Sequence, residues 1–208
     1  IIASQTNYSR KDVKKLISQK KVKVNDEIVK RPEQKFDEQQ DTIYIDENKL
    51  DMKKHIYLVL NKPQGYISAT EDRTAKTVLD LVPEQYKRKG LFPAGRLDKD
   101  TTGMMIITDD GEFAHNILAP RKHIEKTYRV QIDIDITEEM KEKFKQGIVL
   151  KDHVCCPATI IVEDKNTALI TITEGKYHQI KRMFGCFGAK VVNLHRISMG
   201  GLQLPGDL

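Results

Sequence analysis

The sequence predicts an α+β protein of two domains, and three observations carry this prediction. The chain has 208 residues, 39% hydrophobic and 31% charged, which is enough for two small cores. Stretches with strand and helix periodicity are scattered along it rather than alternating, which argues against a doubly wound parallel sheet. A short polar stretch without periodicity, residues 51–54, follows a basic N-terminal segment and predicts a linker between the domains.

The basic segment spans residues 10–35 and contains ten basic and four acidic side chains. Because the whole chain has a net charge of +5, the remainder has a net charge of −1. Such a cluster suits a partner that carries phosphates, since each neutralised phosphate releases counterions. The alternative is a lysine-rich face that is merely solvated.

Local patterns in residues 1–50 predict one helix and a small sheet. Ser9, followed three residues later by Asp12, is typical of a capped helix start. Apolar residues 13, 16 and 17 form a one-sided stripe, which leaves the lysines of the helix facing outward. Alternation at residues 21–24, a turn, and apolar residues at 28–29 predict a hairpin, and Ile43 and Ile45 predict a third strand. The outward-facing lysines are Lys11, Lys14 and Lys15.

Residues 55–208 are predicted to form the second domain, with elements along its whole length. Strands are predicted at residues 57–60, 104–108 and 127–136, and a hairpin at 158–162 and 168–173. Helices are predicted at residues 77–81, at 138–146 between a Thr137 cap and Gly147, and at 177–187.

Several classes of protein are excluded by what the sequence lacks. Its apolar runs fall far short of the roughly 20 residues that a membrane helix needs. The glycine-rich loops of nucleotide-binding enzymes and the histidine spacings of zinc enzymes do not occur. Three cysteines without paired spacing indicate a reduced, cytoplasmic protein. The chain begins at Ile1 without a targeting pattern, so we expect trimmed terminal residues.

One loop stands out as a candidate site because it can present a single carboxylate. Its sequence is GRLDKDTTG, residues 95–103, between two apolar stretches and with a glycine at each end. Asp98 is the candidate carboxylate. The alternative is a polar surface turn in which Asp98 or Asp100 accepts backbone hydrogen bonds.

These motifs resemble two known families. The sequences SRKDVKKLI, residues 9–17, and KVKVND, residues 21–26, resemble the S4 RNA-binding domain with most of its first helix missing. GRLDKDTTG, then KTY at 126–128, GKYHQIKRM at 175–183 and LHR at 194–196, resemble the ordered motifs of RsuA-type pseudouridine synthases. The resemblance implies an S4-like α/β domain, then a catalytic domain with a mixed, mostly antiparallel sheet and flanking helices.

The resemblance also implies roles for individual residues. Asp98 is the catalytic carboxylate, Tyr128 lies against the target base, and Lys181 is the counter-ion of Asp98. On the residues alone, the pattern favours a core aromatic at Tyr128 and an ordinary helix-face lysine at Lys181. The residues implied in binding substrate or RNA are Arg96 and Leu194 in the catalytic domain and Arg10, Lys11, Lys14 and Lys15 in the S4-like domain.

The implied function is isomerisation of a specific uridine to pseudouridine in 16S, small-subunit, ribosomal RNA after the base is flipped out of its stack. The reaction requires no redox change and no external acceptor, so we expect no cofactor and no metal. We also expect a monomer that does not bind membranes. Two alternatives are a uridine of 23S ribosomal RNA as the target, and a non-catalytic S4-type protein that binds RNA or the ribosome.

Overall fold

A computed structural model describes residues 1–37 and 40–208. The chain divides into two compact units. The first contains residues 1–56 and 81–91, and the second contains residues 57–80 and 92–208. Residues 81–91, which the sequence analysis assigned to the second domain, therefore pack with the first unit. Within the described residues, no helix has the length and apolar character needed to cross a membrane.

The first unit contains two helices and a four-stranded antiparallel sheet. Its helices are α1 (Ile2–Gln5) and α2 (Arg10–Ser18), and its strands are β1 (Val22–Val24), β2 (Glu27–Ile28), β3 (Ile43–Ile45) and β4 (Asn48–Lys49). The strand order is β2-β1-β3-β4. The predicted helix, hairpin and third strand are confirmed. Helix α1 and strand β4, with four and two residues, are too short to produce a periodic signal.

Helix α2 begins where its capping residues satisfy the free backbone groups. The Ser9 hydroxyl accepts from the backbone N–H of Asp12 at 3.1 Å, and the Asp12 carboxylate accepts from the Ser9 N–H at 2.8 Å. Leu16 and Ile17 are buried in the core of this unit against Val22. With that face buried, the basic side chains of α2 are all exposed: Arg10, Lys11, Lys14 and Lys15.

The predicted linker, residues 51–54, is held by one arginine. The guanidinium of Arg88 donates to the carbonyl of Lys53 at 2.8 Å, to the carbonyl of Lys54 at 2.9 Å and to Oε1 of Gln5 at 2.9 Å. The stretch is therefore tied to the first unit. Its position as a boundary between domains stays a prediction.

The second unit is built on an eight-stranded mixed sheet. Its strands are β5 (Tyr57–Lys62), β6 (Phe92–Pro93), β7 (Thr102–Thr108), β8 (Lys126–Ile132), β9 (Thr159–Asp164), β10 (Thr167–Ile172), β11 (Val191–Met199) and β12 (Leu202–Gln203). The main order is β5-β7-β11-β8-β10-β9, with β6 on β7 and β12 on β11. Strands β7 and β11 pair in parallel and the other pairs are antiparallel. The predicted α+β class is confirmed.

Three helices accompany this sheet. They are α3 (Gly111–Leu118), α4 (Glu138–Gln146) and α5 (Gln179–Gly185), and short 3-10 turns occur at Val78–Leu81 and Pro120–Lys122. A further 3-10 turn, Glu84–Tyr86, belongs to the first unit. Helix α4 has the predicted bounds. Its Thr137 hydroxyl accepts from the N–H of Met140 at 3.3 Å, and Gly147 follows with a φ of +88°.

Four features of the second unit differ from the sequence prediction. Strand β8 ends at Ile132 rather than at residue 136. The backbone N–H groups of Asp133 and Ile136 donate to the carbonyls of Lys190 and Lys165, which lie outside the neighbouring strands. Helix α5 begins at Gln179 because His178 has a φ of +47°, which is incompatible with the first turn of a helix. Helix α3 was missed. Strand β11 was missed because its sequence VVNLHRISM places polar residues inside a central strand.

Gly103 allows the parallel strands β7 and β11 to approach each other. Its φ is +98°, and a Cβ at this position would collide with the backbone of Arg196 in β11. The loop that carries Asp98 leads directly into β7, so this close approach also positions the loop beside β11.

Candidate active site

A buried lysine anchors the loop that carries Asp98. The ammonium of Lys62, at the end of β5, donates to the carbonyls of Thr101 at 2.7 Å, Asp98 at 3.1 Å and Lys99 at 3.3 Å. Lys62 is fully buried, and burial lowers its pKa to about 8 although Asp100 and Asp98 oppose that shift. The sequence analysis missed this residue, since a lysine at a strand end has no distinctive spacing.

A serine fixes the other side of the same loop. The Ser68 hydroxyl donates to the carbonyl of Leu97 at 2.8 Å and accepts from its N–H at 2.9 Å. Leu97 is buried, so the residue that follows it, Asp98, projects from a backbone held on both sides. Such a backbone limits the positions that the carboxylate can adopt.

Asp98 forms an ion pair with Lys181, as the resemblance implied. Nζ of Lys181, on α5, donates to Oδ2 of Asp98 at 2.9 Å and to Oδ1 of Asp100 at 2.6 Å. Burial opposes the charge on Lys181, but the hydrogen bonds to Asp100 and Asp98 outweigh it and raise the pKa of the lysine. The hydrogen bond from Lys181 lowers the pKa of Asp100. The ammonium thus bridges two carboxylates of one loop.

His178 lies on the other oxygen of Asp98. Its Nε2 is 3.4 Å from Oδ1 of Asp98, and its ring stacks on that of Tyr177 with centroids 3.9 Å apart. The sequence analysis placed His178 within the helix predicted at residues 177–187. The left-handed backbone at this position could not be predicted, and it is what turns the ring toward the carboxylate.

One cavity contains all five residues that the sequence analysis assigned to the catalytic site. We call it the Asp98 cavity. These five residues, which line it together with others, are Arg96, Asp98, Tyr128, Lys181 and Leu194. Tyr128 and Leu194 are each 7% exposed, so both belong to the buried core and also form part of the cavity wall. The four basic residues of α2 lie in the first unit.

Gln179 orders the segment that leads into α5. Its side chain accepts from the N–H of Lys176 at 3.0 Å and donates to Oε1 of Glu174 at 2.7 Å. Oε1 of Glu174 also accepts from the N–H of Cys156 at 2.8 Å. These bonds fix the start of the helix and therefore the position of Lys181.

A group of possible metal ligands lies near this segment. Ligand atoms of His153, Cys155 and Glu174 fall within 4.8 Å of one another. Burial raises the pKa of the Cys155 thiol to about 11, and Glu174 already accepts two hydrogen bonds. A protonated thiol is a poor metal ligand. The expectation that the protein contains no metal stays a prediction.

The site is a single carboxylate, that of Asp98, paired with Lys181 in a cavity of the second unit. Residues 56–185 match the family model of RNA pseudouridylate synthases, and residues 2–43 match that of the S4 domain. The chain therefore belongs to the RNA pseudouridylate synthase family. It is an RNA pseudouridine synthase with an S4 RNA-binding domain, so the alternative of a non-catalytic RNA-binding protein is wrong.

Similar proteins support this assignment over the whole chain. Ribosomal small subunit pseudouridine synthase A of Escherichia coli K12 is 41% identical over 211 residues, which cover 100% of this chain and 90% of that protein. An uncharacterized RNA pseudouridine synthase of Bacillus subtilis is 38% identical, with 100% and 89% covered. A crystal structure of a pseudouridylate synthase has a TM-score of 0.71 and 37% identity, with 100% and 90% covered.

Proposed function

We propose that this enzyme isomerises a uridine of 16S, small-subunit, ribosomal RNA to pseudouridine. The support is the similarity over the full chain to ribosomal small subunit pseudouridine synthase A of Escherichia coli. The enzyme then acts as a monomer in the cytoplasm, where ribosomal subunits are assembled. It uses neither a cofactor nor a metal. A uridine of 23S ribosomal RNA is the alternative target.

The observation that carries the mechanism is the ion pair between Asp98 and Lys181. The reaction breaks the bond from N1 of uracil to C1′ of the ribose, turns the uracil and rejoins it through C5. Asp98 acts on the ribose as nucleophile or as base, which requires an ionised carboxylate. The Lys181 ammonium donates to Oδ2 at 2.9 Å and so orients the carboxylate and pairs with its charge.

Tyr128 contacts the uracil in this mechanism. Its ring forms part of the wall of the Asp98 cavity and offers a flat apolar face, on which a base stacks. After the uracil has turned and C5 has bonded to C1′, the proton on C5 must leave. The phenol oxygen of Tyr128 is the group we assign to this transfer.

Arg96 and Leu194 complete the cavity with opposite properties. Leu194 is buried and supplies an apolar wall, whereas Arg96 is exposed at the edge of the cavity. A base must leave its stack before it can enter, which leaves a gap in the RNA. Arg96 fills that gap or holds a phosphate beside it.

The first unit provides contacts to the RNA backbone. The four basic side chains of α2 are exposed, and no ion pair involves them in the part of the chain that the structure describes. Free surface cations of this kind bind phosphates with strong salt dependence. We assign RNA binding to residues 1–50 and catalysis to residues 55–208 with 51–54 as linker, while residues 81–91 pack with the first unit.

Tritium release tests the substrate and the site together. The purified chain is incubated with 16S or 23S ribosomal RNA transcripts that carry 5-tritiated uridine, and the modified position is mapped. Release from 16S RNA at one position is expected. Release from 23S RNA alone would overturn the proposed target, and activity of Asp98→Asn equal to that of the control Asp135→Asn, an exposed residue, would overturn the site.

A further inference from the structure

A second, larger cleft lies next to the Asp98 cavity. Its volume is about 430 Å³, against about 80 Å³ for the Asp98 cavity, and the two share the side chains of Arg96, Tyr128 and Lys176. We call it the Arg196 cleft. A group bound there would contact the same tyrosine as the target base, from a neighbouring position.

The charges around the Arg196 cleft are strongly unbalanced. One carboxylate, that of Glu174, faces five cationic side chains. This carboxylate already accepts hydrogen bonds from the N–H of Cys156 and from the side chain of Gln179. The cationic side chains are Arg96, Arg121, Lys126, Lys176 and Arg196. The cleft therefore carries a positive charge that its own wall does not neutralise.

Two of these cations are buried, which distinguishes the cleft from a lysine-rich surface. Arg196 is 2% exposed and Lys126 is 7% exposed. Nε of Arg196 donates to the carbonyl of Met104 at 2.7 Å, and Nζ of Lys126 donates to the carbonyl of Ile124 at 2.8 Å. Among the described residues, Nη2 of Arg196 has no hydrogen-bond partner. Burial, together with the charge of Arg196, lowers the pKa of Lys126.

A buried donor without a partner and two adjacent buried cations both destabilise a fold. An anion in the cleft removes both costs, because its oxygens accept from the free guanidinium N–H and neutralise the charges. The guanidinium also lies beside the Tyr128 ring, 6.0 Å from its centroid. A phosphate group fits this donor set, since arginine and lysine are the side chains that bind it.

We propose that the Arg196 cleft binds an RNA phosphodiester adjacent to the target uridine, with Arg196 and Lys126 as its ligands. This inference rests on the proposed function, in which the uridine itself occupies the Asp98 cavity. Arg96 and Lys176 line both cavities and mark the path of the backbone between them. The subsite fixes the register of the RNA, so that one nucleotide is presented to Asp98.

The first test uses inorganic phosphate and the melting temperature of the full chain. Phosphate at about ten times its dissociation constant, compared with chloride of equal ionic strength, is expected to raise the melting temperature of the wild type by about 3–6 °C. The shift should disappear in Lys126→Met. The control is Arg129→Met on the same strand, whose side chain is exposed and paired with Glu163 at 2.6 Å. An equal shift in Lys126→Met and the control would overturn the site.

Folding of the variants is not an obstacle to this test. Lys126→Met removes one of two buried like charges, so its melting temperature without phosphate is expected to equal or exceed that of the wild type. A second variant, Lys126→Gln, keeps a donor for the carbonyl of Ile124 and is also expected to lose the phosphate shift. A phosphate shift retained in both variants contradicts the assignment of Lys126.

The second test establishes that the anion belongs to RNA. The substrate is whichever RNA fragment releases tritium, and a neutral methylphosphonate replaces single phosphodiesters around its target uridine. At one position we expect binding by the wild type to weaken about 10-fold, with no further loss in Lys126→Met. Equal losses in both proteins would show that the cleft takes a free phosphate and would overturn the RNA assignment. If no RNA releases tritium, the proposed function fails, and the melting test still decides the anion site.

Discussion

The two units of this enzyme use lysine in opposite ways. On α2 of the first unit, Lys11, Lys14 and Lys15 are exposed to solvent. Their attraction to phosphates is electrostatic and is screened by water and salt. In the second unit, Lys62 and Lys126 are buried and make directed hydrogen bonds to backbone carbonyls. In the proposed function the surface lysines set the affinity for RNA, whereas the buried lysines hold backbone geometry at a cost in solvation free energy.

The largest expected effect comes from replacing the carboxylate of Asp98. Asp98→Asn keeps the shape of the side chain and removes its charge, so we expect turnover to fall by about 10⁴-fold or more. Tritium release under single-turnover conditions measures this, with Asp135→Asn as the control. RNA affinity should change little, because Asp98 is an anion and none of the proposed phosphate contacts involves it. A large loss of RNA affinity in Asp98→Asn would contradict the assignment of binding to the first unit and catalysis to the second.

Loss of the Lys62 anchor should cost both stability and activity. Lys62→Met leaves the carbonyls of Asp98, Lys99 and Thr101 without their donor, so we expect the free energy of unfolding near pH 7 to fall by about 3 kcal/mol. Urea unfolding measures it. An unchanged midpoint would mean that the loop does not depend on the buried ammonium.

The pH dependence of stability sharpens the same point. The pKa of Lys62 is about 8 in the folded protein and returns to about 10.5 on unfolding. Between these values the unfolded state binds more protons than the folded state, so stability contributed at this site increases with pH. The free energy of unfolding in urea of the wild type, minus that of Lys62→Met, should therefore increase from pH 8 to pH 10. A flat difference would indicate an ordinary lysine pKa.

Tyr128 should show an intermediate effect that separates its two roles. Tyr128→Ala removes a base-stacking face worth roughly 1–3 kcal/mol and should weaken binding as well as turnover. Tyr128→Phe keeps the ring, so it should bind RNA normally and lose turnover only through the missing hydroxyl. Filter binding and tritium release measure the two quantities. Wild-type turnover in Tyr128→Phe would show that the hydroxyl takes no part in the proton transfer.

The smallest effect on chemistry is expected from the exposed cations. Replacing the four basic residues of α2 by glutamine should lower the slope of log affinity against log salt by about 0.7–0.9 for each lost phosphate contact. The variant is preferable to deletion of residues 1–50, because deletion removes Gln5, a hydrogen-bond partner of Arg88. An unchanged slope would mean that this face is only solvated. The four residues are Arg10, Lys11, Lys14 and Lys15.

Local patterns predicted the features that depend on neighbouring residues. The capping box at Ser9, the bounds of α4 and the hairpin of β9 and β10 follow from short-range spacing and are confirmed. The motif resemblance brought Asp98, Tyr128 and Lys181 together correctly in one cavity. Their chemical roles stay predictions.

Features that depend on distant parts of the chain could not be predicted. Strand β11 reads as polar because Asn193, His195 and Arg196 occur within a central strand. Asp100 appeared in the loop motif, but its bond to Lys181 needs the position of α5. The packing of residues 81–91 with the first unit requires contacts of Arg88 with residues some thirty or more positions away.

The most direct test of the division between the units is one set of single-turnover measurements, made over a range of RNA concentrations up to saturation at several salt concentrations. The α2 glutamine variant is expected to keep the wild-type rate at saturation while its apparent dissociation constant rises and becomes less dependent on salt. Asp98→Asn is expected to keep the dissociation constant and its salt dependence while the rate disappears. A saturated rate that falls in the α2 variant as it does in Asp98→Asn would contradict the account.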